Sequence, residues 1–320
     1  MKGVFLDRDS LMIPEEGLGG SDVDLSPLSA IFPDWTFYDQ TEPEHTLERI
    51  QAADVVITNK VVLDQSCLQQ SASLGLVCVA ATGTNNIDLD AAQALGIHVA
   101  NVAGYATASV TEHVFALMLA LSRRLPDYQR VVADGQWQRS EKFCLLNFPI
   151  AELAGCKLGI IGYGELGQSV ARVAEAFGMQ VLIATRSGTT SLLPGRLPLA
   201  KLLAEVDVLS LHCPLTEATQ NLIGAEELAL MKPNALLINT ARGGIVDEQA
   251  LLDALSRGQI GGAAIDVLST EPPVNGSPLL DTDIPNLIVT PHIAWASRQA
   301  RQRLVEGVAD NIQQWVKSRD

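Results

Sequence analysis

Three polar segments, each following an apolar run in the last third of the chain, carry side chains able to do chemistry on a small acid. They are Asn239-Thr240-Ala241-Arg242-Gly243-Gly244, Asp266-Val267-Leu268-Ser269-Thr270-Glu271-Pro272-Pro273 and Thr290-Pro291-His292-Ile293-Ala294-Trp295. Arg242 offers a planar guanidinium fork, which matches a carboxylate through paired charge-assisted hydrogen bonds better than a point-charge lysine does. His292 can exchange a proton near neutral pH, and Glu271 can hold its tautomer and favour its protonated form. Taken singly, an Arg after a strand is ordinarily a surface charge, a Glu before Pro-Pro a solvated turn residue and a His after Pro a satisfied loop residue. Their coincidence at the carboxyl ends of successive predicted strands, where open α/β sheets place ligand-contacting groups, points to a site.

A second constellation lies upstream. The apolar run 158–161 breaks into Gly162-Tyr163-Gly164-Glu165-Leu166-Gly167 and then into a helical pattern over 168–177. A strand, a glycine turn and a helix start in this order suit a dinucleotide pyrophosphate. The first glycine permits the turn, the second lets backbone approach phosphate, the third lets helix and strand pack, and the helix start offers free amides. About 20 residues beyond such a turn an acidic side chain usually accepts from the ribose 2′-OH of NAD, whereas an Arg nearby suits a 2′-phosphate. Here Thr185 takes the acidic slot and Arg186 and Ser187 follow, so NADP is favoured over NAD.

The elements that must position these groups are legible as apolar runs. Strands are predicted at 3–6, 36–38, 54–58, 74–80 and 97–99, with helical segments between, giving a small parallel-sheet domain. Val110, Val114, Leu117, Met118 and Leu121 predict a connecting helix over 107–124. A second series at 157–161, 180–184, 207–213, 235–240, 262–267 and 287–290 predicts a six-stranded doubly wound sheet, and a last helix over 297–315 returns to the first lobe. The expected architecture is therefore α/β with two doubly wound parallel-sheet domains and a cleft between them. Residues 1–100 and 293–320 would form a discontinuous substrate-binding domain, and 101–292 the nucleotide domain.

With 320 residues, both halves can bury a core, and 47% hydrophobic residues with only 5% aromatics suit buried parallel strands. The net charge of −15 argues against nucleic acid and anionic membrane as partners. Five cysteines without a CxxC or Cys/His spacing exclude a structural metal and suit a reducing compartment. No secretory leader or apolar span is evident, so a cytoplasmic protein is expected.

The segments GYGELG, LHCPLT at 211–216, NTARGG, DVLSTEPP and TPHIAWAS, with the spacing between them, closely resemble the D-isomer-specific 2-hydroxyacid dehydrogenase family over essentially the whole chain. Ala-Thr-Gly-Thr-Asn-Asn-Ile-Asp at 81–88, Asn101-Val102-Ala103-Gly104-Tyr105 and Trp295-Ala296-Ser297 look most like its glycerate dehydrogenase, or hydroxypyruvate reductase, branch. The resemblance implies a flavodoxin-like substrate domain and a Rossmann nucleotide domain. It makes His292 the acid/base, Glu271 its partner and Arg242 the anchor of the substrate carboxylate and carbonyl. Thr82, Gly83, Thr84 and Trp295 would complete the substrate site. The cofactor would be held by the 162–167 turn, Thr185, Arg186, Ser187, His212, Cys213, Pro214, Thr240, Ala241 and Asp266, the last on the nicotinamide carboxamide. Asn85 stands where many members have Asp, and Ala103 where many have Pro. The stretch 135–148, with Trp137, is similar to the arm that members exchange in a homodimer.

The reading that follows is an NAD(P)-dependent enzyme that reduces a small 2-oxo acid, hydroxypyruvate or glyoxylate, to the D-2-hydroxy acid, and reverses the reaction. A phosphorylated-substrate dehydrogenase of the same family is disfavoured because 81–88 holds no Arg or Lys and no regulatory domain is expected beyond Asp320. A nucleotide-sensing corepressor or scaffold that keeps the fold is the alternative from another class.

Overall fold

Strands such as Val55–Thr58 and Leu76–Val79 are buried at every position and almost wholly apolar because they are covered on both faces, the condition of an all-parallel sheet. The computed structural model describes residues 1–13, 22–185, 195–280, 284 and 286–319. They divide into two compact units, Met1–Ala106 with Trp295–Asp320, and Thr107–Ala294.

In the first unit, β1 (Lys2–Phe5), β2 (Asp34–Phe37), β3 (Val55–Thr58), β4 (Leu76–Val79) and β5 (His98–Asn101) form a parallel sheet of order β2-β1-β3-β4-β5. This is the flavodoxin-type order. Side chains alternate along each strand. Val55, Ile57, Leu76 and Cys78 pack with Leu304, Val308, Ile312 and Trp315 of the helix Arg298–Lys317. Val56, Val77 and Val79 face the other way, onto Ile50, Leu68 and Ala92. Ser297 caps the last helix, its hydroxyl accepting from the Ala300 amide. One turn in, the buried Arg301 grips both carboxylate oxygens of Asp22 and donates to the Leu11 and Ala296 carbonyls. That fork holds the Asp22 carboxyl at about 2.

The second unit holds β6 (Lys157–Ile161), β7 (Gln180–Ala184), β8 (Arg196–Leu197), β9 (Val208–Leu211), β10 (Leu236–Asn239), β11 (Gly262–Ile265) and β12 (Leu287–Val289), in the order β12-β11-β10-β9-β6-β7-β8. Counted within the unit the order is 7-6-5-4-1-2-3, a Rossmann sheet with one added strand. The sequence predicts six strands. The seventh is β8, two residues pairing with Ile183 and Ala184, too short to leave an apolar run. The helix predicted over 107–124 spans Thr107–Ser122, and it buries Ser109, Thr111 and Phe115 as well as the expected apolar positions. Chain order reverses between β6 and β9, which lie side by side, and it is at the carboxyl ends of such a switch point that open α/β sheets form a ligand crevice.

Candidate active site

The three chemistry-bearing turns start level with one another, because Asn239 of β10 is in register with Ile265 of β11, and Ile265 with Val289 of β12. The buried Asn239 shapes the first turn, its amide donating to the Arg242 carbonyl at 3.0 Å and accepting from the Ala241 amide at 3.1 Å. Gly243 is demanded by contact: a Cβ there would lie 1.9 Å from the Leu268 carbonyl oxygen. The turn bearing Arg242 therefore abuts the segment leading to Glu271. Arg242 is exposed, one guanidinium nitrogen donates to its neighbour's Ala241 carbonyl at 2.7 Å, and no carboxylate pairs with it among the described residues.

The Leu268 amide donates to Glu271 Oε1 at 2.8 Å, and Glu271 Oε2 lies 2.6 Å from His292 Nδ1. Glu248 braces the same segment, accepting from the Ser269 amide and the Ser277 hydroxyl, both at 2.7 Å. His292 adopts φ +55°, a region non-glycine residues enter rarely, and persists there because its flanks are tied. Its amide donates to the Asp266 carbonyl at 2.8 Å. The buried Asp266 carboxylate takes the amides of Ile293 and Ala294, each at 2.9 Å, and the Thr290 hydroxyl at 2.6 Å. With Nδ1 donating to a carboxylate, proton exchange falls to Nε2 of His292. Both members of the pair are about one-third exposed, at 30% and 34%, as groups that meet a ligand must be.

The glycine turn fits a dinucleotide. Gly162 has φ +92°, and a Cβ on it would lie 2.5 Å from the His212 carbonyl and the Cys213 amide; one on Gly167 would meet the Gly162 oxygen at 2.1 Å. A Cβ on Gly164 would meet nothing within 4 Å, so there the backbone faces open space. The helix Glu165–Ala176 begins on Gly164 without a side-chain cap, which leaves its first amides for an anion. Leu166 lies in that first turn, Glu165 accepts from the Thr107 hydroxyl, and the Tyr163 carbonyl accepts from Gln168. Two buried polar atoms at the neighbouring strand ends, His212 Nδ1 and Thr240 Oγ1, have no partner among the described residues. Burial pushes the His212 imidazole down to about 4, so it is neutral near pH 7, and its Nε2 lies 2.9 Å from Ser210 Oγ. Unfilled hydrogen-bonding capacity beside a turn that excludes Cβ atoms is what a missing polar ligand leaves.

Thr185 follows β7, its amide and hydroxyl both donating to the Leu197 carbonyl, while Arg186 and Ser187 lie outside the described residues. Cys213 is half-buried, and the Pro214 carbonyl accepts from Thr219 at 2.7 Å. In the first unit, the loop after β4 is tied by Asn101, whose amide donates to the Thr82 carbonyl at 2.6 Å, and by the Thr82 hydroxyl, which donates to the Val102 carbonyl at 3.1 Å. The Gly83 and Thr84 amides find no acceptor among the described residues. Trp295 packs edge-on against Tyr105, with ring centroids 6.3 Å apart. Sequence reasoning missed Asn239, Glu248, Ser109 and His113. A polar residue closing a wholly apolar strand is the one signal that could have singled out Asn239. No helix among the described residues is long and apolar enough to cross a membrane. No group of side chains able to hold a metal ion occurs among them either.

Residues 115–294 match the profile described as D-isomer specific 2-hydroxyacid dehydrogenase, NAD binding domain. Over 98% of its length the chain is 47% identical to glycerate dehydrogenase of Methylorubrum extorquens, covering 96% of that protein. It superposes with TM-score 0.79 and 27% identity on an NADPH-dependent glyoxylate/hydroxypyruvate reductase of Sinorhizobium meliloti in complex with NADP and malonate, covering 98% of this chain and 93% of that one. D-lactate dehydrogenase of Aquifex aeolicus, complexed with NAD and lactic acid, gives TM-score 0.80 at 29% identity, with 99% and 96% covered.

Proposed function

The chain belongs to the D-isomer specific 2-hydroxyacid dehydrogenase family, and from that premise we propose that it reduces hydroxypyruvate and glyoxylate to D-glycerate and glycolate, and reverses the reaction on the hydroxy acid. The observation that carries this reading is the 2.6 Å pair of His292 and Glu271 beside an Arg242 that no carboxylate of the described residues neutralises. The cofactor, when bound, supplies the hydride. Arg242 holds the substrate carboxylate and carbonyl through its fork. Nε2 of His292 gives its proton to the oxygen at C2 as negative charge develops there, and takes one back in oxidation. Glu271 keeps the ring oriented and stabilises the imidazolium. The 162–167 turn would hold the pyrophosphate, and Thr240, Ala241, His212, Cys213 and Pro214 would line the same crevice. Asp266, whose buried carboxylate takes the Thr290 hydroxyl and the Ile293 and Ala294 amides, would stand beside the nicotinamide carboxamide.

We further propose NADPH as the preferred reductant, supported by neutral Thr185 in place of a repelling carboxylate and by the adjacent Arg186. The chain would act as a homodimer in the cytoplasm. Phe143 is 91% exposed and Leu146 82% on the 135–148 stretch, an apolar surface suited to a second copy. The test is a panel of 2-oxo acids with NADPH and NADH. Steady turnover of hydroxypyruvate or glyoxylate supports the enzyme, and tight cofactor binding without turnover of any 2-oxo acid would favour a nucleotide-sensing scaffold. Arg186→Ala should damage the NADPH reaction selectively, and equal losses with both cofactors would refute the 2′-phosphate role.

A further inference from the structure

The helix Thr107–Ser122 presents two polar side chains, one helical turn apart, to the loop that carries His292. The Ser109 hydroxyl, buried, donates to the Ala294 carbonyl at 2.7 Å. His113, 19% exposed, places Nε2 3.2 Å from Thr290 Oγ1 and 3.6 Å from Asp266 Oδ1. The two contacts bracket His292, falling two residues before it and two residues after it. Hydrogen-bond inventory fixes the direction of the first. A carboxylate only accepts, so the Thr290 hydroxyl spends its proton on Asp266 and turns a lone pair toward His113, whose Nε2 must then carry the donated hydrogen. His113 therefore closes a chain running from its imidazole through Thr290 to Asp266, and Asp266 in turn holds the Ile293 and Ala294 amides and, through its carbonyl, the His292 amide.

We propose that His113 is a positioning residue for the acid/base: its Nε2–H locks the Thr290 hydroxyl onto Asp266 and so keeps the strained His292 backbone where Nδ1 meets Glu271. The inference rests on the proposed role of His292. Nothing about it requires His113 to touch substrate or cofactor. A histidine half-buried on a helix is often no more than a satisfied core group, and its loss then lowers stability alone. A positioning residue differs because small displacements of the group it aims cost turnover.

The test compares His113→Leu, which removes the donor, with His113→Gln, whose terminal amide reaches about as far as Nε2, and with His113→Asn, which falls short. In the intact enzyme His113→Leu should lower kcat for 2-oxo acid reduction about 10- to 100-fold, with KM for the acid and Kd for the cofactor within about threefold, and Gln should restore most of kcat. The Nδ1 proton of His292, followed in the proton spectrum of the cofactor-free enzyme, should shift or broaden in the Leu variant and recover in the Gln variant. Unchanged kcat and an unchanged Nδ1 resonance in His113→Leu would overturn the proposal. Should the Leu variant fail to fold, equal kcat in the Gln and Asn variants would overturn it. Wild-type enzyme that turns over no 2-oxo acid would instead refute the reading of His292, an outcome the spectrum keeps separate from this one.

Discussion

The Arg242 guanidinium donates to the Ala241 carbonyl and meets no acidic side chain of the described residues, which suits the proposed anchor of a substrate carboxylate. Arg242→Lys keeps the charge but loses the fork, so kcat/KM for hydroxypyruvate should fall by about tenfold or more, with both kcat and KM affected. An unchanged kcat/KM would remove the anchor role. His292→Ala should lower turnover by about a hundredfold or more, and Glu271→Gln by less, because Gln still orients the ring while general-acid transfer needs the imidazole itself. Cofactor affinity, read from NADPH fluorescence, should stay near wild type in both. These three residues were legible in the sequence because their side-chain types announce charge or proton chemistry. Asn239, Glu248 and His113 were not, since what they do depends on which distant backbone group or side chain each touches.

The turns between strands and helices carry the site, and two of their glycines make opposite predictions. Gly243→Ala would drive a methyl against the Leu268 carbonyl, and it should cost about 1–3 kcal/mol of stability while displacing the Glu271 segment and lowering kcat. Gly164→Ala meets nothing within 4 Å, so urea unfolding should be nearly unchanged while cofactor affinity falls by about tenfold or more, the methyl occupying space that phosphate would fill. Denaturation curves alongside cofactor titrations check both. Most strands were legible because burial on two faces forces uninterrupted apolar runs. β8 was not, since two residues held by pairing with β7 alone leave no pattern. The φ of +55° at His292 was equally hidden, being imposed by Asp266 and its partners and not by local preference.

At the scale of the molecule, acid acts on the two units in different windows. His212, in the second unit, is held down to about 4 by burial against an ordinary 6.5, so below about pH 6.5 the unfolded chain binds a proton that the folded chain refuses. Its share of stability falls as pH drops from 6.5 toward 4, by about 1.4 kcal/mol per unit where only the unfolded form is protonated. Asp22, in the first unit, is held at about 2 against 3.8 by Arg301. Its contribution is complete above about pH 4 and is lost as pH falls through 2. Urea unfolding measured across pH should therefore lose the upper slope in His212→Asn and the lower one in Arg301→Met, each leaving the other intact. The division into units has a bearing on descent as well. The proposed proton-transfer pair, its arginine and the glycine turn all come from one unbroken stretch of sequence, Thr107–Ala294, which is the second unit in its entirety. A recombination event that exchanges that stretch carries the redox apparatus across in one piece.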